Sequence, residues 1–264
     1  MIDETVKTDI LSALLHQHAA QHVTVLYACE SGSRAWGFPS PDSDYDVRFI
    51  YCHDPDWYLS LYEERDVIEQ PINDLLDISG WDLRKAMGLL SKSNGPLLEW
   101  LHSPIVYQQV DNVTITLREL ARKSYRPGNG VYHYLGMAKR GWANLAGVGQ
   151  IKLKRYFYVL RALLCCEWII SEKTIPPVEF PVILARFYPK GDFRGAVDEL
   201  MQLKSRSNET DILEREQYKT LFSVVDRRIG DLLVFIKNNF PENKPSFDKA
   251  EFNEAFRHII RTTR

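Results

Sequence analysis

Apolar and polar positions divide the first part of the chain into helices and strands. Residues 3–20 place their leucines and isoleucines at helical spacing, which predicts an amphipathic helix. Residues 23–29 are a run of β-branched and apolar residues, which is typical of a buried strand. The prolines and small polar residues of 39–43 predict a turn, and a second strand is predicted over 45–52. A third strand is predicted over 74–80, and a helix follows from Trp81 to about Ser93.

Helical spacing dominates the rest of the chain. Residues 126–130 (RPGNG) are predicted to form a loop because they combine proline with two glycines. A strand-containing first part followed by helices predicts an α+β fold, which we divide into domains 1–111 and 112–264. The predicted helices cover 113–124, 131–146, 151–171 and stretches near 193–205, 211–240 and 246–261.

The chemistry is concentrated in one motif, in which Gly32-Ser33 precedes Asp44-Tyr45-Asp46 by ten residues. Side chains two apart on a strand share a face, so Asp44 and Asp46 are expected to point together. Two converging carboxylates are costly to hold ionised unless a cation lies near them. Mg²⁺ takes oxygen ligands and leaves coordination positions for phosphates. The motif therefore predicts a metal site that handles a nucleotide.

The turn ahead of the carboxylates suits a phosphate. Gly32 lets the backbone approach an anion closely, and backbone N–H groups at the start of a following helix would complete an anion cradle. Ser33 also reads as an ordinary helix N-cap, which uses the same donors. Arg48 lies two residues after Asp46 on the same strand face, so neutralisation of the acidic pair is one interpretation of it.

Charge is unevenly distributed along the 264 residues, although the net charge is only −2. Residues 1–111 hold 18 acids and 7 bases, whereas 112–166 hold 10 bases and Glu119 as the sole acid. A basic region next to an acidic one attracts polyphosphate or nucleic acid. A solvated helix face explains the bases equally well, and the neighbouring metal motif favours the nucleic acid.

Other features exclude several classes of protein. The first residues carry acids and lack the basic run of a signal peptide, and no apolar stretch approaches the length of a membrane span. The four cysteines form no Cys-x-x-Cys pair and are expected to be buried thiols of a cytoplasmic protein. His18 and His22 share a helix face but His16 does not, which favours a polar helix end over a metal site.

Longer segments resemble a known family. ESGSRAWGFPSPDSDYDVRFIY, followed by LDISGWDLRKAMGLLSKSNGPLLEWLHSPIVY, is similar to the RlaP family, the RNA-ligase-associated or YcgL-like members of the DNA polymerase β-type nucleotidyltransferases. The resemblance continues through YHYLGMAKRGW and KLKRYFYVLRALLCCEWI and covers roughly residues 20–170. It implies a small mixed sheet flanked by helices, the polymerase β-type core, followed by an α-helical domain.

The resemblance also implies roles for the motif residues. Asp44 and Asp46 would bind metal and catalyse transfer, and Gly32, Ser33 and Arg34 would bind the nucleotide. The family needs a third carboxylate on a neighbouring strand. Asp77 is favoured because Leu76 and Ile78 flank it with apolar residues. Asp82 is the alternative, although it lies at a helix start where negative charge is favourable for structural reasons, and Asp74 ranks third.

A second group of nucleotide-binding candidates lies on the predicted helix 151–171. Lys154, Tyr158 and Arg161 are spaced four and three apart, so they are expected to share one face. In related nucleotidyltransferases such a face closes over the triphosphate. Lys139 and Arg140 are second candidates, and surface residues without a ligand are the alternative for each.

The function implied is transfer of a nucleoside monophosphate from an NTP to an acceptor hydroxyl. The expected cofactor is a pair of Mg²⁺ ions, with Mn²⁺ as the alternative. The resemblance implies an RNA end as the acceptor and an RNA ligase as a partner. Small-molecule modification, nucleotidylation of a protein such as a toxin, and a non-catalytic nucleotide-binding module remain open.

Overall fold

A computed structural model describes residues 2–70, 75–145, 149–208, 212–214, 216–240 and 247–263. The predicted α+β class is confirmed, because a small mixed sheet is flanked by helices. The chain separates into two compact units. The first comprises Met1–Ala35, Asp44–Tyr125 and Pro245–Arg264, and the second comprises Trp36–Ser43 and Arg126–Lys244.

The first unit contains the sheet and the helices that pack on it. Its elements, in chain order, are α1 (Glu4–Gln21), β1 (Thr24–Glu30), α2 (Gly32–Trp36, whose last residue belongs to the second unit), β2 (Tyr45–Cys52), a 3-10 turn (Pro55–Leu59), β3 (Val67–Glu69), β4 (Leu76–Asp82), α3 (Leu83–Leu90), α4 (Gly95–Leu101), β5 (Val106–Gln109) and α5 (Asp111–Ser124). The C-terminal helix α11 (Lys249–Thr262) returns to this unit.

The five strands are ordered β3-β4-β2-β1-β5. β1 pairs antiparallel with β2 and β5, and β3 pairs antiparallel with β4. The central pair of β2 and β4 is parallel, and its register places Asp46 beside Asp77. This parallel pair therefore decides which side chains meet across the middle of the sheet.

Alternation along β2 separates the core from the candidate site. Tyr45, Val47 and Phe49 are buried in a cluster that includes Ile10 and Leu14 of α1. The intervening residues 46 and 48 are only half-buried. Because successive strand residues point to opposite faces, burial of the odd-numbered side chains fixes the direction of the two charged ones.

The second unit is helical. Its elements are α6 (Pro127–Ala143), β6 (Gln150–Lys152), α7 (Leu153–Glu172), α8 (Phe180–Phe187), α9 (Asp192–Arg206), β7 (Ile212–Glu214) and α10 (Lys219–Asn239). α6 packs along α7, α10 contacts both of them, and α8 and α9 pack on α7. β6 and β7 form a separate two-stranded antiparallel ribbon.

The observed units differ from the predicted division at residues 111 and 112. α5 belongs to the first unit because its apolar face contacts β1, α3 and α4. α11 also belongs there, since it contacts α3 and α5 and Glu251 pairs with Lys123. Contacts with distant segments place both helices in this unit, and the division into domains 1–111 and 112–264 stays a prediction.

Two local predictions in the second unit also need correction. Residues 126–130 are not a loop, because α6 begins at Pro127. Proline at the first helical position loses no hydrogen bond and has a suitable φ, so it starts the helix. α8 was not predicted, although Pro181 likewise lies in its first turn.

The cysteines and the histidines of α1 have no predicted catalytic role. All four cysteines are buried as thiols. His18 bonds through Nδ1 to the carbonyl of Val23 at the end of α1, in agreement with a polar helix end. Among the described residues, no helix combines the length and apolar character needed to cross a membrane.

Candidate active site

Asp46 and Asp77 lie side by side at the centre of the sheet. They are register partners on the parallel strands β2 and β4, and each is about one quarter exposed. Residues that are paired on adjacent strands and share a face bring their side chains within interaction distance. The sheet thus joins the second motif aspartate to the predicted third carboxylate, 31 positions apart in the sequence.

Arg48 lies between these carboxylates and bonds to both. Its Nη2 donates to Asp46 Oδ1 at 2.9 Å and to Asp77 Oδ2 at 2.7 Å. Its Nη1 donates to the backbone carbonyls of Asp77 at 2.8 Å and Val47 at 3.1 Å. The charge neutralisation considered for Arg48 is therefore directed at Asp46 and Asp77.

Asp44 immediately precedes β2, so it is not itself a strand residue. Its backbone carbonyl accepts a hydrogen bond from Arg34 Nε at 3.0 Å. The Arg34 guanidinium also stacks over the Tyr45 ring, 3.8 Å from its centroid. Arg34 thereby fixes the chain leading into the strand, and its predicted nucleotide-binding role stays a prediction.

The backbone of Gly32 lies against the Asp46 side chain. Its φ of +59° is left-handed, and a Cβ added there would lie 2.0 Å from Asp46 Oδ2. The neighbouring Ser31 N–H donates to the Asp46 carbonyl at 2.8 Å. Ser33 follows in α2 and is only 3% exposed. The glycine is therefore required both by the backbone conformation and by the space that the carboxylate occupies.

Glu30, at the end of β1, is an acidic contact of Asp46 that was not predicted. It is fully buried, and its carboxylate accepts from the Tyr107 hydroxyl and, at 3.0 Å, from the Asp46 backbone N–H. Burial raises the pKa of Glu30 to about 7, against the opposing effect of these hydrogen bonds. An acid that ends an otherwise apolar strand was the one sequence signal for it.

The position of Asp82 distinguishes it from Asp77. Asp82 is fully buried and caps α3, its Oδ1 accepting from the Arg84 backbone N–H at 2.7 Å. Its Oδ2 accepts from the Tyr58 hydroxyl at 2.7 Å. These contacts favour a structural role for Asp82 and leave Asp77 as the better third carboxylate. Asp74 lies outside the described residues.

We expect Asp82→Asn to retain activity and to change the pH dependence of stability. Burial raises the pKa of Asp82 above its ordinary value of 3.8 in the folded chain. A raised pKa stabilises the fold below the unfolded value, and this contribution is lost as pH rises through the folded value. Asparagine keeps the cap and the Tyr58 contact without a charge.

Denaturant unfolding of both proteins from pH 3 to pH 8 measures this effect. The free energy of unfolding of the variant should gain on that of the wild type as pH rises. Asp77→Asn is the matched variant, and it should lose activity. Loss of activity in Asp82→Asn with an intact fold would make Asp82 the third carboxylate instead.

The predicted basic and aromatic face lies on α7 in the second unit. The Tyr158 ring packs edge-on against Trp36 with centroids 4.7 Å apart, and the Arg161 guanidinium lies 4.3 Å from the same ring. Arg161 is 2% exposed and donates to the Val178 carbonyl at 3.2 and 3.3 Å. Arg161 therefore supports packing within the unit. A nucleotide-binding role for Lys154, Tyr158 and Arg161 stays a prediction.

The candidate site offers oxygen donors to a divalent metal. Within the described ranges, no three His, Cys, Asp or Glu side chains are arranged so that they could hold a metal ion. Asp44, Asp46 and Asp77 nevertheless offer the oxygen donors that Mg²⁺ prefers. Two of them already converge on a positive group, the Arg48 guanidinium. The donor chemistry therefore fits a divalent cation, which would have to compete with this arginine.

Two comparisons with known proteins point to the same family. The family described as "RNA repair pathway DNA polymerase beta family", RlaP, matches residues 6–258. The chain is 47% identical over 209 residues to the uncharacterized protein YcgL of Bacillus subtilis (strain 168), covering 79% of this chain and 80% of that protein.

Among solved structures, a nucleotidyltransferase-like protein from Exiguobacterium sibiricum 255-15 is similar at 11% identity. The alignment covers 97% of this chain and 91% of that chain, with a TM-score of 0.32, which is too low to support an argument. The match over residues 6–258 and the 47% identical relative decide the assignment. The chain belongs to the RlaP family of DNA polymerase β-type proteins.

Proposed function

We propose that this chain is a metal-dependent nucleotidyltransferase that transfers a nucleoside monophosphate from an NTP to an RNA end. Family membership indicates a polymerase β-type nucleotidyltransferase of an RNA repair pathway. The observation that carries the proposal is the register of β2 and β4, which sets Asp46 beside Asp77 around a positive group.

Asp44, Asp46 and Asp77 would hold the metal. Divalent ions held there would supply positive charge to offset the negative charge that develops during transfer at phosphorus. The chain itself orients the carboxylates. Arg34 anchors the backbone at Asp44, and the Ser31 N–H and the Glu30 carboxylate fix the backbone of Asp46.

The turn before the carboxylates supports binding of the NTP phosphates. Gly32 has no side chain, so its backbone leaves room beside Asp46 Oδ2. The family resemblance implies that Ser33 contacts the phosphates. Because Ser33 is buried, it can also help to order α2, and the two roles are compatible.

Exposed bases in the second unit support RNA as the acceptor. Lys139 and Arg140 are exposed near the end of α6, and Lys152 and Arg155 are exposed at the start of α7. Contacts of Gly141 with Val159 and of Val131 with Cys166 make the two helices antiparallel, so the end of α6 lies towards the start of α7. Lysine and arginine bind the phosphate backbone irrespective of sequence.

Transfer of label provides the test. Purified protein would be incubated with each α-labelled NTP, Mg²⁺ and a short RNA that has a free 3′ hydroxyl. We expect labelled RNA, with activity falling steeply between 50 and 200 mM salt because phosphate contacts are screened. γ-Labelled NTP is the matched control and should leave the RNA unlabelled.

Other outcomes separate the rival functions. Label on a protein band would indicate a protein-modifying enzyme, and label on a small acceptor with weak salt dependence would indicate a small-molecule enzyme. Binding of NTP without transfer to any acceptor class would contradict the enzymatic proposal and favour a nucleotide-binding module.

A further inference from the structure

The Arg48 guanidinium lies between the carboxylates of Asp46 and Asp77 and bonds to both. A single nitrogen, Nη2, bonds an oxygen of each carboxylate at 2.9 and 2.7 Å. The Arg48 side chain is only 18% exposed. This geometry is held by the sheet, because all three residues lie on β2 and β4 and Nη1 is anchored to two backbone carbonyls.

Electrostatics explains why a positive group is needed there when the metal is absent. Two partly buried carboxylates in register repel each other, and loss of hydration increases that repulsion. A guanidinium with donors to both oxygens offsets it through charge-assisted hydrogen bonds. Asp46, Asp77 and Arg48 together still carry a net negative charge, so a divalent cation remains attracted to them.

We infer that Arg48 is the resident counter-ion of the Asp46–Asp77 pair, an inference that rests on the proposed function. It offsets the repulsion between the two carboxylates and orients their side chains without metal, and it weakens divalent binding by competing for the same oxygens. Arg48 is thus a positioning residue. A bound divalent ion would lie close to the guanidinium, and the two positive charges would repel each other.

A double-mutant cycle without metal tests the first half of the inference. In EDTA, Arg48→Gln should lower the Tm by on the order of 5 °C, because the carboxylates lose their common cation. Asp77→Asn should cost less, since one carboxylate then faces one guanidinium. The double variant should regain most of the loss seen in Arg48→Gln. Additive losses in the double variant would overturn this half.

Titration with Mn²⁺ alone, followed by calorimetry and by the shift in Tm, tests the second half. Arg48→Gln should bind Mn²⁺ at least about fivefold more tightly than the wild type, as expected when a competitor is removed. Arg48→Lys, which keeps the charge, should remain close to the wild type and also serves if the glutamine variant does not fold. Equal or weaker Mn²⁺ affinity in Arg48→Gln would overturn the competition.

The matched control is Arg65→Gln. Arg65 pairs with a single carboxylate, that of Glu69, at 2.6 Å, and both of these side chains are well exposed. Its loss should change neither Mn²⁺ affinity nor the Tm appreciably. If the wild type and Asp77→Asn bind Mn²⁺ equally, the metal site of the proposed function fails. If wild-type binding requires Asp77 and Arg48→Gln does not improve it, only the inference about Arg48 fails.

Discussion

Asp46→Asn should lower kcat/KM for transfer of label to RNA by more than about 10³-fold, equivalent to about 4 kcal/mol of transition-state stabilisation. Asparagine keeps the size of the side chain but removes the negative charge. The Asp46 carboxylate bonds to Arg48 and lies beside Asp77. Strand β2 contains no second acid that could replace it. Initial rates with saturating Mg²⁺ and varied NTP measure the effect.

The fold of this variant should survive, because Asp77 still pairs with Arg48 and asparagine can accept the same hydrogen bond. Asp56→Asn is the matched control. Asp56 is an exposed acid of the same unit, in the 3-10 turn after β2, and its replacement should leave the rate unchanged. Activity of Asp46→Asn within tenfold of the wild type would remove Asp46 from the catalytic site.

Local sequence signals predicted the elements that carry the motif. The bounds of β2 agree with the prediction at Tyr45 and Cys52, because turn formers directly before Tyr45 mark where the strand can begin. α2 begins at Gly32, so Ser33, which was expected as an N-cap, lies inside the helix. Periodicity also placed Arg48 on the face of Asp46, since that statement requires only the alternation of one strand.

The contacts between segments were beyond such reasoning. Neither the parallel pairing that sets Asp46 beside Asp77 nor the bond between Glu30 and Tyr107, 77 positions apart, follows from a local pattern. The charge of Arg48 was visible, but its second carboxylate partner depends on that strand register. Sequence analysis therefore named the candidate groups without their arrangement.

The same limit explains the domain boundaries. The predicted division near residue 112 separates α5 from the sheet, whereas α5 packs its apolar face on the first unit. Lys123 and Glu251 pair across 128 positions, which ties the C-terminal helix to α5. Composition reports the chemistry of a segment, whereas its packing partner is decided by the whole fold.

Gly32→Ala should both destabilise the protein and reduce its activity, although no charged group changes. A left-handed φ costs an alanine about 1–2 kcal/mol. In addition, the new Cβ would lie 2.0 Å from Asp46 Oδ2 and would force the carboxylate away from its position beside Arg48. A displacement of about 1 Å at a reacting group can cost about 10²-fold in rate, which is the loss we expect.

Gly88→Ala is the matched control for this glycine. Gly88 lies inside α3 with no atom within 4 Å of an added Cβ, so alanine should stabilise the helix by about 0.5–1 kcal/mol and leave the rate unchanged. Denaturant unfolding and label transfer to RNA would be measured on both variants. Should Gly32→Ala lose stability yet keep full activity, the position of the Asp46 carboxylate would not control the reaction. A combined loss, absent in the control, would connect the left-handed turn to the chemistry through the carboxylate it accommodates.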